Sequence, residues 1–241
     1  MTLTLLAAAI AAIGLILLAA AGPAYRVGVL SLPSAFVLLR WGAYAGTAAM
    51  ASALLAGAWA VRRGARARVA LAGLVFAAGL VAFAIPFRWQ QVARSAPAIH
   101  DVTTDLENPP AFEAIVPLRA EAPNSLDRPP ELTEQQRQGY PDLAPITLPV
   151  PVAQVFDPAL AAAQEAGWRI VTADKGSGRI EATATTRWFG FQDDIVVRLT
   201  PWGAGTRVDV RSVSRVGRGD MGTNARRIRQ YLDTLKTDIG D

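Results

Sequence analysis

Three long apolar runs dominate the first part of the chain. They fill approximately residues 3–21, 41–61 and 69–87, and none contains a charged side chain. A helix needs about 20 apolar residues to cross a hydrocarbon core of roughly 30 Å, and each run has about that length. We therefore predict three transmembrane helices in a membrane domain that spans residues 1–95.

The ends of the first run allow a second interpretation. Ala19 to Ala21 resembles a signal-peptide cleavage site. However, the beginning of the run carries no Lys or Arg and further apolar runs follow, which favours a helix that is not cleaved. In the connection to the second run, Pro33 is expected to separate an interfacial turn from the second helix, because one helix from Val27 onward would overshoot the membrane.

Charged and aromatic residues around the runs predict the orientation. Four arginines lie within Arg62–Arg68, between the second and third runs. The positive-inside rule places this loop in the cytoplasm. Trp59 lies at the inner end of the predicted helices and Trp41 and Trp89 lie at the outer end, which fits the preference of aromatic residues for the headgroup level. We expect a multi-pass protein of the cytoplasmic (inner) membrane, with its N-terminus in the cytoplasm and its C-terminal domain in the periplasm.

Acidic residues are confined to the rest of the chain. The first is Asp101, and residues 88–241 carry eighteen basic and twenty acidic side chains. The pI of about 9.9 therefore reflects the arginines of the membrane domain and does not indicate a nucleic-acid partner. With no cysteine and one histidine, disulfides, thiolate chemistry and the usual zinc ligand sets are excluded, and we expect neither a metal nor a cofactor.

The second domain, 96–241, divides at a change in proline content. Eleven of the sixteen prolines lie between Arg88 and Pro151, which predicts an extended arm over 96–150 that wraps around the domain, with a looser tip near 121–138. Residues 151–237 show helical spacing, then alternation, then helical spacing again. The predicted elements are a helix from Val152 to about Gly167, four strands and a helix that starts at Asp220, with strands at 168–173, 179–187, 195–200 and 207–215.

This order, α-β-β-β-β-α, predicts an α+β fold. Four antiparallel strands would carry two helices on one face, in a helix-grip-like arrangement, and the other face would be open or covered by the proline-rich arm.

Three sequence motifs carry a family resemblance. They are Ile99-His100-Asp101-Val102-Thr103-Thr104-Asp105 ahead of Asn108-Pro109-Pro110-Ala111-Phe112, then Thr186 to Asp194, then Arg211 to Gly217. Over roughly residues 97–237 the chain resembles the domain-of-unknown-function 1499 family, whose members often lie behind a few membrane spans. The resemblance implies a fold and a setting, and it brings no activity or catalytic residue.

A cluster of arginines near the end of the predicted sheet is the main candidate site. Free amides at a helix N-terminus and arginine forks suit a phosphate or carboxylate, such as a lipid headgroup. The alternative is a structural network in which the arginines pair with Asp193, Asp194, Asp209 and Asp220. The residues predicted to bind an anionic ligand are Arg211, Arg215, Arg218, Arg226 and Gly219.

The family motifs contain further candidates. His100 is the only imidazole, so a hydrolase would use it with Asp101 or Asp105 as orienting group and Ser212 or Ser214 as nucleophile. The alternative is that the His-Asp pair pins the arm to the sheet. The other motif residues are Arg187, Trp188, Asp193 and Asp194; Trp188 with Phe189 and Phe191 would fill the domain core or enter the membrane interface, and the two aspartates would point to opposite faces of a strand.

Gly42 and Gly46 form a small-xxx-small pattern in the second run, which favours either packing within the bundle or a homodimer. Together, these patterns predict a membrane-anchored binding or assembly module for an anionic small molecule or lipid, and not an enzyme. The alternatives are a protein scaffold in a membrane complex and a hydrolase that uses His100.

Overall fold

A computed structural model describes residues 3–240, which form six α-helices and six β-strands. The helices are α1 (Leu3–Arg26), α2 (Leu32–Arg62), α3 (Arg66–Ser95), α4 (Pro130–Gly139), α5 (Val152–Glu165) and α6 (Thr223–Gly240). The strands are β1 (Asp101–Thr103), β2 (Ile146–Leu148), β3 (Arg169–Asp174), β4 (Arg179–Thr185), β5 (Gln192–Trp202) and β6 (Gly205–Ser214). Residues 1, 2 and 241 belong to the predicted domains and lie outside the described residues.

The chain packs as two compact units. The helix unit runs to Val92 and includes Arg187–Gly190, and the sheet unit consists of Ala93–Thr186 and the chain from Phe191 onward. In the helix unit, α1, α2 and α3 are each long and apolar enough to span a membrane. The fold is therefore α+β, with three long apolar helices ahead of a mostly antiparallel sheet.

The helices extend beyond the apolar runs. The second helix begins well before the predicted span of 41–61, because α2 starts at Leu32, next to the Pro33 that was expected to separate a turn from this helix. Ser31 caps this helix by accepting a hydrogen bond from the Ser34 amide (3.3 Å). Pro33 lies in the first turn, where its missing amide proton would have no helical partner, so the proline starts the helix and does not interrupt it.

Glycines let the backbones of the three long helices approach each other. A Cβ atom on Gly42 of α2 would lie 3.1 Å from the Gly14 carbonyl oxygen of α1, and one on Gly46 would lie 2.6 Å from the Gly79 oxygen of α3. Gly42 and Gly46 are both buried by these contacts. The structure therefore uses the small-xxx-small pattern for packing within the bundle.

The segment Arg187–Gly190 of the helix unit carries two of the aromatic residues singled out in the sequence. The Trp188 indole donates a hydrogen bond to the Ala19 carbonyl oxygen (3.2 Å), and its ring lies 4.9 Å from that of Trp89. Phe189 packs against Tyr25, with ring centroids 6.0 Å apart. Trp188 and Phe189 thus contact the long helices. The first alternative, that they fill the core of the sheet unit, is therefore wrong for these two residues.

The sheet of the second unit has six strands where four were predicted. Its order is β1-β6-β5-β4-β3, all pairs are antiparallel, and β2 also pairs with β6. The two extra strands come from the proline-rich arm: β1 pairs with residues 211–213 and β2 with residues 206–208 of β6. Three-residue strands are too short to show period-two alternation, which explains why the sequence pattern does not reveal them.

One face of this sheet packs against α5 and α6 and forms the main core. Alternate residues of β4, β5 and β6 point to this side, and Val155 and Ile228 from the helices meet them with no exposed surface. The core side chains of the three strands are Ile180, Ala182, Ala184, Ile195, Val197, Leu199, Val208 and Val210. The prediction of two helices on one face describes this side of the sheet.

The arm covers the opposite face. Phe112 and Ile115 pack on Val196 of β5 and Val213 of β6. Residues 130–139, predicted as part of a loose tip, form α4, and Gln136 of this helix is fully buried. Its side-chain oxygen accepts a hydrogen bond from the Thr103 amide of β1 (3.0 Å), so α4 is tied to the edge of the sheet.

Candidate functional site

An open cleft of about 520 Å³ lies between α5 and α6, beside the end of β4. Its apolar lining comes from Ala162 and Ala166 at the end of α5, Trp168 before β3, and Tyr231 of α6. The volume falls within the range of small-molecule pockets, roughly 300–1,000 Å³. It is the best candidate site in the part of the chain that the structure describes.

Small residues at the end of α5 keep this cleft open. Ala162 and Ala166 place only methyl groups toward α6, and Gly167 ends the helix with a φ of 74°, which glycine adopts without strain. Trp168 then stacks on Tyr231, with centroids 4.9 Å apart. Burial raises the pKa of Tyr231, so its hydroxyl stays neutral and donates to the Ala159 carbonyl oxygen (2.9 Å).

The α6 wall of the cleft contains an arginine that is already held in place. The Arg227 guanidinium donates to the Asp193 carboxylate of β5 (2.6 Å) and to the Ser212 hydroxyl of β6 (3.1 Å). It also donates to Asn224 one turn earlier in α6 (2.5 Å), and Asn224 is completely buried. These contacts fix the position of Arg227 and neutralise its charge.

Arg226, also on the cleft wall, has a different environment. Its side chain is exposed and donates a long hydrogen bond to the Thr223 hydroxyl (3.4 Å). Within residues 3–240 it forms no ion pair, while Glu165 supplies a carboxylate to the α5 side of the same cleft. Of the five residues predicted to bind an anion, Arg226 is the one that lines the cleft.

The other face of the sheet carries a buried ionic network. Arg211 forms a bidentate ion pair with Asp101 of β1 (3.0 and 2.7 Å), and Arg128 of the arm reaches the same carboxylate at 3.1 Å. Burial, and then the positive charge of Arg211, lower the pKa of Arg128, while Asp101 opposes this shift. Two guanidinium groups therefore share one buried carboxylate.

Asp194 is the centre of a second part of the network. Its carboxylate accepts hydrogen bonds from Arg119 (2.6 Å), Arg215 (2.8 and 3.0 Å) and the Thr183 hydroxyl (2.7 Å). Burial alone would raise the pKa of Asp194, but the hydrogen bonds from Arg215, Thr183 and Arg119 outweigh it and lower the pKa below its ordinary value. Arg215, predicted as a ligand-binding residue, is thus paired inside the domain.

A third group lies along the same face toward the β5–β6 turn. Asp209 forms ion pairs with Arg198 (3.0 Å) and Arg207 (3.1 Å). Both arginines also pair with Asp105, Arg198 at 3.2 Å and Arg207 at 2.7 Å. The arginines of β6 are therefore paired with aspartates, as the structural alternative proposed. The partner of Arg211 is Asp101, which was not among the partners foreseen from the sequence.

The turn before α6 was predicted to offer free amides to an anion. Instead, the Asp220 carboxylate accepts hydrogen bonds from the amides of Gly222 (2.9 Å) and Asn224 (2.6 Å). Desolvation by burial raises the pKa of Asp220. Arg218 in this turn is exposed and lies away from the cleft lining, and Gly219 packs closely on Ala98.

The structure joins His100 to Ser214 through their backbones, while the side chains of Asp101, Ser212 and Ser214 have other partners. Asp101 is bound to arginines, and Ser212 is completely buried and donates to the Asn224 side-chain oxygen (2.6 Å). The His100 backbone oxygen accepts from the Ser214 amide (2.8 Å), which ties the arm to β6. Among residues 3–240, no hydrogen bond joins the His100 imidazole to an aspartate or a serine.

The adjacent aspartates point to opposite faces of β5, as alternation predicts. Asp193 binds Arg227 on the side of the helices and Asp194 binds Arg119 and Arg215 on the side of the arm. They serve two separate ion-pair groups. Arg187 contributes its backbone oxygen, which accepts from Arg26 in the helix unit (3.1 Å).

A comparison with protein families finds a match in the second part of the chain. The family described as "Protein of unknown function (DUF1499)" matches residues 101–235, more than half of the chain. The chain belongs to the DUF1499 family. The match begins at Asp101, within β1, and ends near the last turn of α6. No curated protein matches the chain.

The DUF1499 region contains both the cleft and the ionic network, including residues that sequence reasoning missed. Arg119 and Arg128 lie in the arm without any periodic pattern, and nothing local indicates that they reach β5 and β1. Arg227 and Asn224 were detectable in principle: both fall on the α6 face that also carries Ile228 and Tyr231. A polar residue on the buried side of a helix indicates a polar partner there.

Proposed function

We propose that this DUF1499 protein is a membrane-anchored binding module that holds a small molecule with an anionic group and an apolar body in the α5–α6 cleft. The observation that carries the proposal is the cleft itself, whose lining combines Trp168 and small apolar side chains with an exposed arginine, Arg226, that forms no ion pair within residues 3–240. Binding pockets commonly combine an apolar lining with a few convergent polar groups.

The two neighbouring arginines of α6 differ in their availability for an anion. Arg227 is held by Asp193, Ser212 and Asn224, so it forms a fixed part of the cleft wall and its charge is already compensated. Arg226 brings a charge that no carboxylate of residues 3–240 neutralises, and its planar fork can bind a carboxylate or phosphate through two hydrogen bonds. Thr223 and Gln230 add neutral polar groups to the same lining.

The ionic network is a weaker candidate for ligand binding. Arg211 and Arg215 would have to leave Asp101 and Asp194, and the abandoned carboxylates are almost completely buried. Leaving a buried charge without its partner costs several kcal/mol, roughly 3–5. We therefore propose that these two arginines hold the arm on the sheet and that ligand recognition belongs to Arg226.

The proposed setting is the outer side of the cytoplasmic membrane. Support comes from the four arginines of Arg62–Arg68, which favour a cytoplasmic position for the connection between α2 and α3. With three spanning helices, the sheet unit then lies in the periplasm. Assembly with another membrane protein stays a prediction.

The test is native mass spectrometry of the full-length protein, purified from its membranes in a mild detergent. We expect a molecule of constant mass to accompany the wild type and Arg218→Gln, and to be at least about tenfold depleted in Arg226→Gln, since a charge-assisted hydrogen bond contributes roughly 1.5–3 kcal/mol. Arg218 is the matched control because it is an exposed arginine outside the cleft lining.

A second pair of variants separates the cleft from general charge effects. Thr234 lines the cleft on α6, whereas Lys236 is exposed on the same helix outside the lining. Thr234→Trp should displace the molecule by filling space, and Lys236→Trp should retain it. A wild type that carries no molecule, or equal occupancy in all four variants, would refute the proposed function.

A further inference from the structure

The connection between α2 and α3 concentrates positive charge on a very short segment. α2 ends at Arg62 and α3 begins at Arg66. The side chains of Arg62, Arg63, Arg66 and Arg68 are all exposed. Gly64 lies in the turn with a φ of 64°, a conformation that glycine adopts readily. The connection between the two helices is therefore short, and all four arginines lie within Arg62–Arg68.

Nothing in the helix unit neutralises this charge. The sequence has no Asp or Glu before Asp101, and Arg187–Gly190, the remaining part of that unit, contains none either. In the sheet unit, by contrast, aspartates pair with most of the arginines of β5 and β6. The arginines at the α2–α3 turn therefore have no acidic partner in their own unit and are available to an external anion.

The beginning of α3 also lacks a negatively charged partner. Its first turn contains Arg66 and Arg68 and no acidic residue, and it follows Ala65, which has no side-chain acceptor for the helix amides. The positive end of the helix dipole thus has no side-chain cap and lies beside cations, which is unfavourable in isolation. Cationic side chains are normally found at the opposite end of a helix, so a nearby anionic surface would relieve this conflict.

An aromatic residue indicates how deep these arginines lie in the membrane. Trp59 is 58 % exposed near the end of α2, and the Arg63 guanidinium lies 4.9 Å from its ring centroid. Exposed tryptophans at the ends of spanning helices favour the headgroup region of the bilayer. Arg63 stacked on Trp59 is therefore placed where lipid phosphates lie.

We propose that the α2–α3 turn binds the phosphate groups of anionic phospholipids through Arg62, Arg63, Arg66 and Arg68. The site is separate from the cleft and does not depend on the proposed function. The arginines supply the fork geometry for phosphate, the α3 N-terminus adds positive potential, and Trp59 occupies the adjoining interface. The same chemistry would accept free phosphate, which the experiment distinguishes.

The test measures lipids retained by the full-length protein in native mass spectra, after exchange into detergent micelles with equal amounts of phosphatidylglycerol and phosphatidylcholine. In micelles the result does not depend on how a variant inserts into a membrane. We expect the wild type to retain phosphatidylglycerol preferentially. Arg63→Gln/Arg66→Gln/Arg68→Gln should lower that preference about tenfold or more, because each basic residue near an anionic surface contributes roughly fivefold.

Two further variants and a competitor complete the test. Arg40→Gln/Arg88→Gln/Arg94→Gln removes three exposed arginines elsewhere on α2 and α3 and should retain the preference. Arg63→Lys/Arg66→Lys/Arg68→Lys keeps the charge but lacks the guanidinium fork, so it should retain more of the preference than the glutamine variant and less than the wild type. Excess inorganic phosphate should not release the lipid. A wild type without preference, an equal loss in the control variant, or release by inorganic phosphate would overturn the proposal.

Discussion

At the scale of single residues, the arginines of the sheet unit differ mainly in whether a carboxylate is already bound to them. Arg211 and Arg215 hold buried aspartates between the sheet and the arm, whereas Arg226 points into an open cleft without an acidic partner in residues 3–240. The same side chain therefore has a structural role in one place and a candidate binding role in the other.

The buried group around Asp101 gives a stability prediction. In Asp101→Asn, Arg211 and Arg128 lose the charge that compensates them and repel each other in a buried site. Removing one partner of a buried ion pair typically costs about 3–5 kcal/mol. We expect the unfolding temperature of the full-length protein in detergent, followed by tryptophan fluorescence, to fall markedly.

The matched control is Asp142→Asn. Asp142 forms an equally short pair with Arg229 (2.6 Å), but its side chain is 57 % exposed. Solvent-exposed ion pairs contribute about 0–1 kcal/mol, so this variant should unfold close to the wild type. If both variants unfolded at the same temperature, the Asp101 group would not hold the arm.

The sequence predicted the faces of β5 and β6 and named Asp194 and Asp209 among the possible arginine partners, but it did not predict Asp101. Asp193 and Asp194 diverge as period two requires. Arg207 and Arg211 of β6 both pair with aspartates. The pairing of Arg211 with Asp101 joins residues that are far apart in sequence. It depends on β1 lying beside β6, and a three-residue strand leaves no periodic signal from which that neighbour could be inferred.

At the scale of secondary-structure elements, close helix contacts in the helix unit depend on missing side chains. A Cβ on Gly46 would lie 2.6 Å from a backbone oxygen of α3, which cannot move independently of its helix. Gly46→Leu should therefore separate α2 from α3 and destabilise the bundle, by about 1–3 kcal/mol or more for overpacking. The measurement is the yield and unfolding temperature of the detergent-purified protein.

Gly73 provides the control for this substitution. It lies in α3, and a Cβ added there would meet nothing within 4 Å. Gly73→Leu should leave both yield and unfolding temperature unchanged. Because leucine is a better helix former than glycine, both substitutions raise helix propensity, and equal damage from both would show that the loss at Gly46 does not come from the α2–α3 contact.

The long elements were predictable and the short ones were not. Three apolar runs, the α5 and α6 periodicities and the β3–β4 hairpin follow from patterns that extend over many residues. β1, β2 and α4 form within the proline-rich arm, where contacts with β6 and with the edge of the sheet decide the conformation. The α5–α6 cleft was not foreseen, because its opening depends on small side chains at Ala162 and Ala166 facing a particular part of α6.

At the scale of the whole molecule, the proposal requires the sheet unit to lie outside the cytoplasm. An alkaline phosphatase fused after Asp241 should be active, since this enzyme folds only in the oxidising compartment. The same enzyme fused within the α2–α3 turn, after Gly64, should be inactive. The reverse pattern of activities would invert the proposed topology.

The central claim is that the α5–α6 cleft holds a small anionic molecule, and an experimental structure of the full-length protein purified from its own membranes tests it most directly. The account predicts density for a bound molecule in the cleft, with an acidic group within hydrogen-bond distance of the Arg226 guanidinium. An unoccupied cleft, or a molecule bound to the ionic face in place of Asp101 or Asp194, would contradict it.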